Sequence, residues 1–298
     1  MKQQFMIGVV DTIRLSVYDN NRPSIPTSAT ITLYKPDGSV LQASASATVN
    51  ATTGEMTYAI SAVHTAEADL NYKAVWAYVV STVTYYQTQL FDVVKSLLSI
   101  PITDDDLYNE LESLRKANHQ VNDVATAGGA ITLTDTKRNE PDNFWKGGTI
   151  KLTAGTGVGQ LRDISSFVQS TGVFTVSLTW ATNPDNTTRY TAVRSWTAKI
   201  QSAFDTLCTA LYDKGKRHQL ILESTQISKP LIYLTIHMIC LDLLDDENDR
   251  WDRLAKVYQD KYDKAFNSMT LDYDEDDSGT IAGEENQSKP FSIRVDRC

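Results

Sequence analysis

The spacing of apolar residues changes along the chain, and this change constrains the fold more than any other feature. Between about residues 5 and 95, apolar and polar residues alternate, most clearly at Tyr72, Ala74 and Trp76. A period of two buries one face of a β-strand, and closely spaced turn signals such as Pro-Asp-Gly separate the alternating runs. We therefore predict a β-sandwich over residues 1–97.

A helical pattern begins after this stretch and runs to about residue 119. Thr103 can cap the predicted helix, and Asp104, Asp105 and Asp106 occupy its first turn. We interpret these carboxylates as stabilising the positive end of the helix dipole, rather than as a metal site. A single short helix is not stable alone, so we expect it to pack on the later helices.

A second β-rich stretch lies between about residues 125 and 194, where glycines separate short runs of Val, Ile and Thr. The spacing of Gly155, Gly157 and Gly159 is superficially that of a phosphate-binding loop. The dinucleotide fingerprint, however, requires G-x-G-x-x-G between a strand and a helix, and the residues that follow here predict two strands. We interpret the three glycines as a β-turn loop.

Helical spacing returns between Trp196 and Met269. The stretch from Leu231 to Leu244 is apolar on nearly every side, which predicts a helix that is buried in a bundle or between subunits. The helix after it has an apolar face that includes Trp251, and an opposite face on which acids and bases alternate.

Together these patterns predict an α+β multidomain protein. It would contain an N-terminal β-sandwich, a helical-bundle domain that carries an inserted small β domain, and a flexible C-terminal arm. The predicted boundaries are 1–97 for the sandwich, 98–124 plus 195–270 for the helical domain, 125–194 for the insertion, and 271–298 for an acidic loop and the arm.

The sequence contains no catalytic signature. None of the four histidines forms an HExxH motif or lies near a cysteine pair at zinc spacing, and the G-x-S-x-G and Walker motifs are absent. The formal net charge of −9 argues against broad binding to nucleic acid, and the longest apolar run is too short for a membrane span. We therefore predict that the protein is not an enzyme and does not bind membranes.

One motif indicates specific chemistry: the stretch DEDDSGTIAGEE follows the order of a twelve-residue calcium loop. Asp274, Asp276 and Ser278 would supply ligands at positions one, three and five. The Thr280 carbonyl and the Glu285 carboxylate would supply positions seven and twelve. A serine at position five and the lack of an exit helix depart from the pattern. The alternatives are a calcium site and a solvated acidic tail.

A short alternating segment follows this loop. Phe291, Ile293 and Val295 alternate with Ser292 and Arg294, which is the pattern of a strand with no local partner. We predict that this arm adds to a sheet edge or groove of a neighbouring protein by β-augmentation. The alternative is a frayed terminus.

Three stretches of the chain resemble proteins of tailed bacteriophages. The C-terminal residues RWDRLAKVYQDKYDKAFNSM and LDYDEDDSGTI resemble head–tail connector (adaptor, or head-completion) proteins. The stretch DNFWKGGTIKLTAGTGVGQLRDISSF resembles a small β module of phage structural proteins. The stretches VVDTIRLSVYD and LYKPDGSVL, with the strand NYKAVWAYV, are similar to immunoglobulin-like domains that decorate virions.

The resemblance implies a structural role in the virion neck. Adaptors form a ring, usually a dodecamer, between the portal and a tail-completion or stopper protein, and DNA passes through without specific binding. Assembly would take place in the bacterial cytoplasm. The arm at about residues 287–298 would insert into the portal, with residues 291–295 making the contacts. Packing between subunits would involve the two long C-terminal helices, through Leu231, Leu234, Met238, Trp251, Tyr258 and Tyr262.

The two β modules leave other functions open. A minimal adaptor is mostly helical, so the modules also suit a receptor- or carbohydrate-binding tail or collar component. A calcium-dependent surface protein is a third alternative, and it depends on the acidic loop alone.

Overall fold

The computed structural model describes residues 2–20, 22–244 and 249–281. The chain divides into two compact units, each assembled from segments that are distant in sequence. Unit 1 comprises Met1–Ser99, Cys208–Gln226 and Thr270–Cys298, and unit 2 comprises Ile100–Leu207 and Ile227–Met269. Among the described residues, no helix is both long and apolar enough to cross a membrane.

In the described part of unit 1, seven strands form one continuous and nearly closed sheet, in the order β1-β9-β8-β5-β6-β7-β2. The strands are β1 (Gln3–Met6), β2 (Asp11–Leu15), β5 (Ser28–Tyr34), β6 (Val40–Val49), β7 (Met56–Ile60), β8 (Asp69–Val80) and β9 (Val83–Val94), and β3 (Tyr18–Asp19) and β4 (Arg22–Pro23) form a separate ribbon. β1 pairs with β9 in parallel, whereas the other strand pairs of this sheet are antiparallel.

The sheet nearly closes because its two edge strands, β1 and β2, are consecutive in the chain. The side chain of Gln3 on β1 connects them: its Nε2 donates to the carbonyl of Thr12 at 2.8 Å, and its Oε1 accepts from the backbone N–H of Arg14 at 3.3 Å. Trp76 on β8 and Phe91 on β9 are fully buried inside this sheet. The alternating pattern of β8 predicts the burial of Trp76.

The predicted two-sheet sandwich is therefore wrong in its architecture. β6 is ten residues long, and its register against β5 shifts twice before it pairs with β7. Such shifts bend a strand, so β6 carries the sheet around a corner without a break. Residue alternation reports which face of a strand is buried, but it does not distinguish a bent sheet from two separate ones.

Unit 2 contains a second seven-stranded sheet, in the order β10-β16-β13-β14-β15-β12-β11. Its strands are β10 (Gln120–Val124), β11 (Ala127–Gly128), β12 (Thr132–Thr134), β13 (Thr149–Ala154), β14 (Leu161–Val168), β15 (Val173–Val176) and β16 (Arg189–Val193). The two edge strands, β10 and β11, belong to one segment of residues 120–128, whose first half pairs with β16 and second half with β12. This segment joins both edges around a core that includes Trp145 and Phe174.

The glycine-rich stretch between β13 and β14 is a turn, as the sequence predicts. Gly155, Gly157 and Gly159 all have positive φ, between 75° and 90°, which side chains rarely adopt. A Cβ atom on Gly155 would lie 2.2 Å from the carbonyl oxygen of Thr187. These glycines therefore serve backbone geometry, and no helix that could bind a phosphate follows them.

Five helices occur in the described part of the chain: α1 (Asp104–Glu110), α2 (Ser113–Ala117), α3 (Thr197–Asp213), α4 (Ser228–Asp242) and α5 (Arg250–Ser268). α4 and α5 pack against each other as a pair. α1 contacts this pair: the Glu110 carboxylate lies 2.7 Å from Lys261 Nζ and 3.3 Å from the hydroxyl of Tyr258. The predicted contact between the first helix and the later helices is therefore present.

The predicted fold class is nevertheless wrong, because the protein is mostly β and contains no helical-bundle adaptor domain in its described part. Strands account for 35% of the described residues and helices for 25%. The helical stretch predicted from Trp196 to Met269 is interrupted after α3, where Gly215 takes a φ of 74°. Beyond α3 the chain forms two short 3₁₀ turns, His218–Leu220 and Ser224–Ile227, and Cys208–Gln226 belongs to unit 1. The predicted helix 104–119 is likewise broken into two short pieces, α1 and α2.

Candidate functional site

The acidic loop after α5 folds around one buried carboxylate. Asp274 is 1% exposed, and its Oδ1 accepts from the backbone N–H of Ser278 at 2.9 Å. Its Oδ2 accepts from the backbone N–H of Gly279 at 2.6 Å. Asp276 Oδ1 accepts from the same Ser278 N–H at 2.9 Å. The order of residues in this loop therefore specifies a real turn, with Gly279 at a φ of 85°.

The fit of this loop to calcium is partial. Asp276 is exposed, and hydrogen bonds from Ser278 lower the pKa of its carboxyl group, so it is charged at neutral pH. The Ser278 hydroxyl donates to the Thr280 carbonyl at 3.0 Å. Glu285, the predicted bidentate ligand, lies outside the described residues. Within the described part of the chain, no three His, Cys, Asp or Glu side chains are grouped so as to hold a metal ion. Calcium binding stays a prediction.

The predicted portal arm lies outside the described residues. It comprises Phe291, Ser292, Ile293, Arg294 and Val295, all beyond residue 281. Its proposed β-augmentation stays a prediction.

The predicted oligomer-interface residues fall into two groups. Four of them pack inside unit 2 and are at most 9% exposed: Leu231, Leu234, Tyr258 and Tyr262. Met238 and Trp251 are partly exposed. Leu241 and Val257, on the same two helices, are each 48% exposed, so the outer surface of the α4–α5 pair retains apolar side chains that the sequence analysis did not single out.

The open edge of β9 is a feature that the sequence analysis missed. β1 covers only Phe91–Val94 of this strand, and no described strand pairs with its outer side from Val83 to Leu90. The stretch VTYYQTQL contains no charge, proline or glycine. Proteins usually protect an edge of this length with one of these devices or with a bulge. A search of the sequence for a long uncharged β-branched and aromatic run would have found it.

The turn at the start of β9 determines which backbone groups face outward. Ser81 and Thr82 both have positive φ (48° and 73°), as a two-residue hairpin turn requires, and Val80 pairs with Val83 across it. Residues in such a hairpin alternate between bonding to the partner strand and facing away from it. The N–H and C=O groups at 84, 86, 88 and 90 therefore face the open side. Tyr86 beside them is 75% exposed.

A cavity of about 360 Å³ lies within unit 1. Strands β1, β8 and β9 contribute to one side of it, and residues 208–219 contribute to the other. The lining side chains that are charged or carry an amide or imidazole are Lys2, Gln4, Asn71, Asp92, Arg217, His218 and Gln219. The other lining residues are Leu70, Cys208, Thr209 and Tyr212. Its volume is within the range of small-molecule sites.

Buried hydrogen bonds fix part of this lining. Gln4 Oε1 lies 2.9 Å from His218 Nε2, and Gln4 Nε2 donates to Gln219 Oε1 at 3.2 Å. Both His218 and Gln219 are less than 10% exposed. The Asp92 carboxylate accepts from the backbone N–H of Asn71 at 2.8 Å. Sequence reasoning could not find this site, because the pattern of residues 208–219 predicts the end of a helix in another domain.

The sequence matches no protein-family model and no curated protein.

Proposed function

We propose that this chain is a structural assembly protein of the tailed-phage neck, a ring adaptor that joins the portal to the tail. The observation that carries the proposal is the open, uncharged edge of β9 from Val83 to Leu90. An edge of this kind pairs readily with another chain. In an assembly, a strand of a neighbouring subunit would cover this edge.

The exposed apolar residues of the α4–α5 pair support the same proposal. Leu241 and Val257 are two such side chains, one on each helix, and a neighbouring subunit would bury them. The resemblance of the C-terminal stretch to head–tail connectors favours an assembly at the portal, with a tail-completion or stopper protein below. The net charge of −9 suits a channel that DNA crosses without being held. The proposal involves no catalysis.

The experiment that tests this function measures assembly. Purified chain, alone and with the portal protein of the same phage, would be analysed by light scattering and negative-stain imaging. We expect discrete rings, either alone or on the portal. The variant Tyr86→Lys adds a charge to the open edge. We expect it to raise the protein concentration needed for assembly at least tenfold.

The matched control is Tyr18→Lys. Tyr18 is also strongly exposed, at 69%, but it lies on the short ribbon of β3 and β4 and not on the open edge. Assembly that is equally weakened by both variants would indicate a general effect of charge. A chain that stays monomeric at all concentrations and ignores the portal would overturn the proposal.

A second candidate function is a receptor- or carbohydrate-binding role in the tail or collar. The cavity in unit 1 is the observation that favours it, because polar side chains converge there beside the aromatic ring of Tyr212. This role predicts a trimer rather than a ring, so the same light-scattering measurement separates the two candidates.

A further inference from the structure

Two side-chain amides in the lining of the unit 1 cavity have their oxygens occupied by neighbouring donors. Asn71 Oδ1 is occupied by the ammonium group of Lys2, which can only donate, so the orientation of this amide is fixed. Gln219 Oε1 is occupied by Gln4. The amide nitrogens of Asn71 and Gln219 find no acceptor among the described residues. Asn71 is exposed to solvent, and a ligand in the cavity that supplies acceptors would bind both nitrogens.

The charges of the lining lead to the same conclusion. Asp92 is the one carboxylate among the lining residues, and Lys2 Nζ lies 3.5 Å from its Oδ1. That pair leaves Arg217 as a half-buried guanidinium that has no carboxylate partner in the described part of the chain. Arginine binds carboxylates and phosphates in a two-pronged geometry, and these bonds are stronger than those between neutral groups.

The surroundings of Arg217 hold its backbone in place. Its backbone N–H donates to the hydroxyl of Tyr273 at 3.1 Å, and the neighbouring His218 and Gln219 are buried. Tyr212, which is 66% exposed, lies at the rim and offers an aromatic face to a flat or ring-shaped ligand.

From these contacts we infer that the cavity binds a small acidic molecule, which presents a carboxylate or phosphate to Arg217 and accepts hydrogen bonds from Asn71 and Gln219. A cavity of about 360 Å³ accommodates one ring with its acidic substituent. This inference goes beyond the assembly role and does not depend on it, because every lining residue belongs to unit 1 of a single chain.

The test uses three hexoses that differ in one group: glucuronate, glucose 6-phosphate and neutral glucose. Each is titrated into the full chain by calorimetry at millimolar concentrations. We expect heat from at least one acidic sugar and none from glucose, and the sugar that binds identifies the anion as carboxylate or phosphate. In Arg217→Gln, we expect binding to weaken by roughly tenfold or more.

The matched control is Arg189→Gln, which removes an exposed arginine of β16 in unit 2. Binding by this variant should equal that of the unchanged chain. A thermal melt of Arg217→Gln checks that the fold persists. The inference is overturned if none of the three sugars binds, if glucose binds as well as the acids, or if Arg217→Gln binds the acids unchanged. Ring assembly, measured separately, is expected to be the same in both variants.

Discussion

At the scale of single residues, Asp104 shows how position changes the role of a charge. Its carboxylate accepts from the backbone N–H of Trp196, with oxygens at 3.1 and 3.2 Å. Burial raises the pKa of its carboxyl group above the ordinary value of 3.8, although hydrogen bonds from Ser195 and Trp196 oppose the rise. The sequence predicts a first-turn charge on the helix, and the structure uses the same group to hold residue 196.

This geometry predicts that Asp104→Asn becomes relatively more stable as pH rises. An acid with a raised pKa in the folded state binds more protons there than in the unfolded chain, so its contribution to stability is lost as pH rises above about 3.8. The amide that replaces the carboxyl group does not titrate, and its oxygen can still accept from the backbone of Trp196. Between pH 4 and 7, we therefore expect the unfolding free energy of Asp104→Asn to increase relative to that of the unchanged chain.

Urea unfolding at several pH values measures this difference. Asp104→Ala is the control: it also lacks the titrating group, so it should follow the same pH trend as Asp104→Asn, but it removes the acceptor and should be about 1–3 kcal/mol less stable than Asp104→Asn at every pH. A difference between Asp104→Asn and the unchanged chain that does not vary with pH would show that the carboxyl group has its ordinary pKa.

At the scale of single elements, calcium binding by the acidic loop can be tested with substitutions that remove a predicted ligand without disturbing the fold of the loop. Asp276 is exposed and belongs to the predicted ligand set, whereas the Asp277 carboxylate lies 3.6 Å from Lys95 Nζ and is outside that set. The two substitutions Asp276→Asn and Asp277→Asn remove the same charge from the same loop. Asp274 is unsuitable, because its burial makes any substitution a test of folding.

We expect calcium to bind this loop weakly, with a Kd of roughly 10⁻⁴ to 10⁻³ M, because a single loop lacks the support of a paired one. Asp276→Asn should weaken calcium binding several-fold, because it removes the charge of a ligand, and Asp277→Asn should leave most of the heat of calcium titration. If the unchanged chain gives no heat, or if the two variants behave alike, the loop is an acidic turn and not a calcium site.

Elements differ in how far the sequence determines them. The buried face of β8 and the glycine turn near residue 157 follow from local patterns, because each depends on neighbours in the chain. The bend of β6 and the break between α1 and α2 depend on packing, which periodicity does not report. The cavity was unpredictable for the same reason: its lining comes from residues 2–4, 70–92 and 208–219.

At the scale of the whole molecule, the chain returns to unit 1 twice, and the second return begins with a compact segment, residues 270–281. Leu271 is fully buried and Tyr273 is 4% exposed. The backbone N–H of Asp274 donates to the carbonyl of Leu220 at 3.0 Å, and the side chain of Gln226 pairs with Asp272. This segment therefore belongs to the core of unit 1, although sequence reasoning grouped it with the terminal arm.

Two truncations separate the segment from the arm. Removing residues 282–298 should leave the unfolding free energy of the chain within about 0.5 kcal/mol, because the buried contacts of unit 1 remain. Removing residues 270–298 deletes two buried apolar side chains and the hydrogen bonds to Leu220 and Gln226. We expect that loss to cost about 3–5 kcal/mol, measured by urea unfolding. Equal stability of the two truncations would mean that residues 270–281 add nothing to the core. A large loss from the shorter truncation would instead assign a folding role to the arm, at the expense of its proposed role in binding the portal.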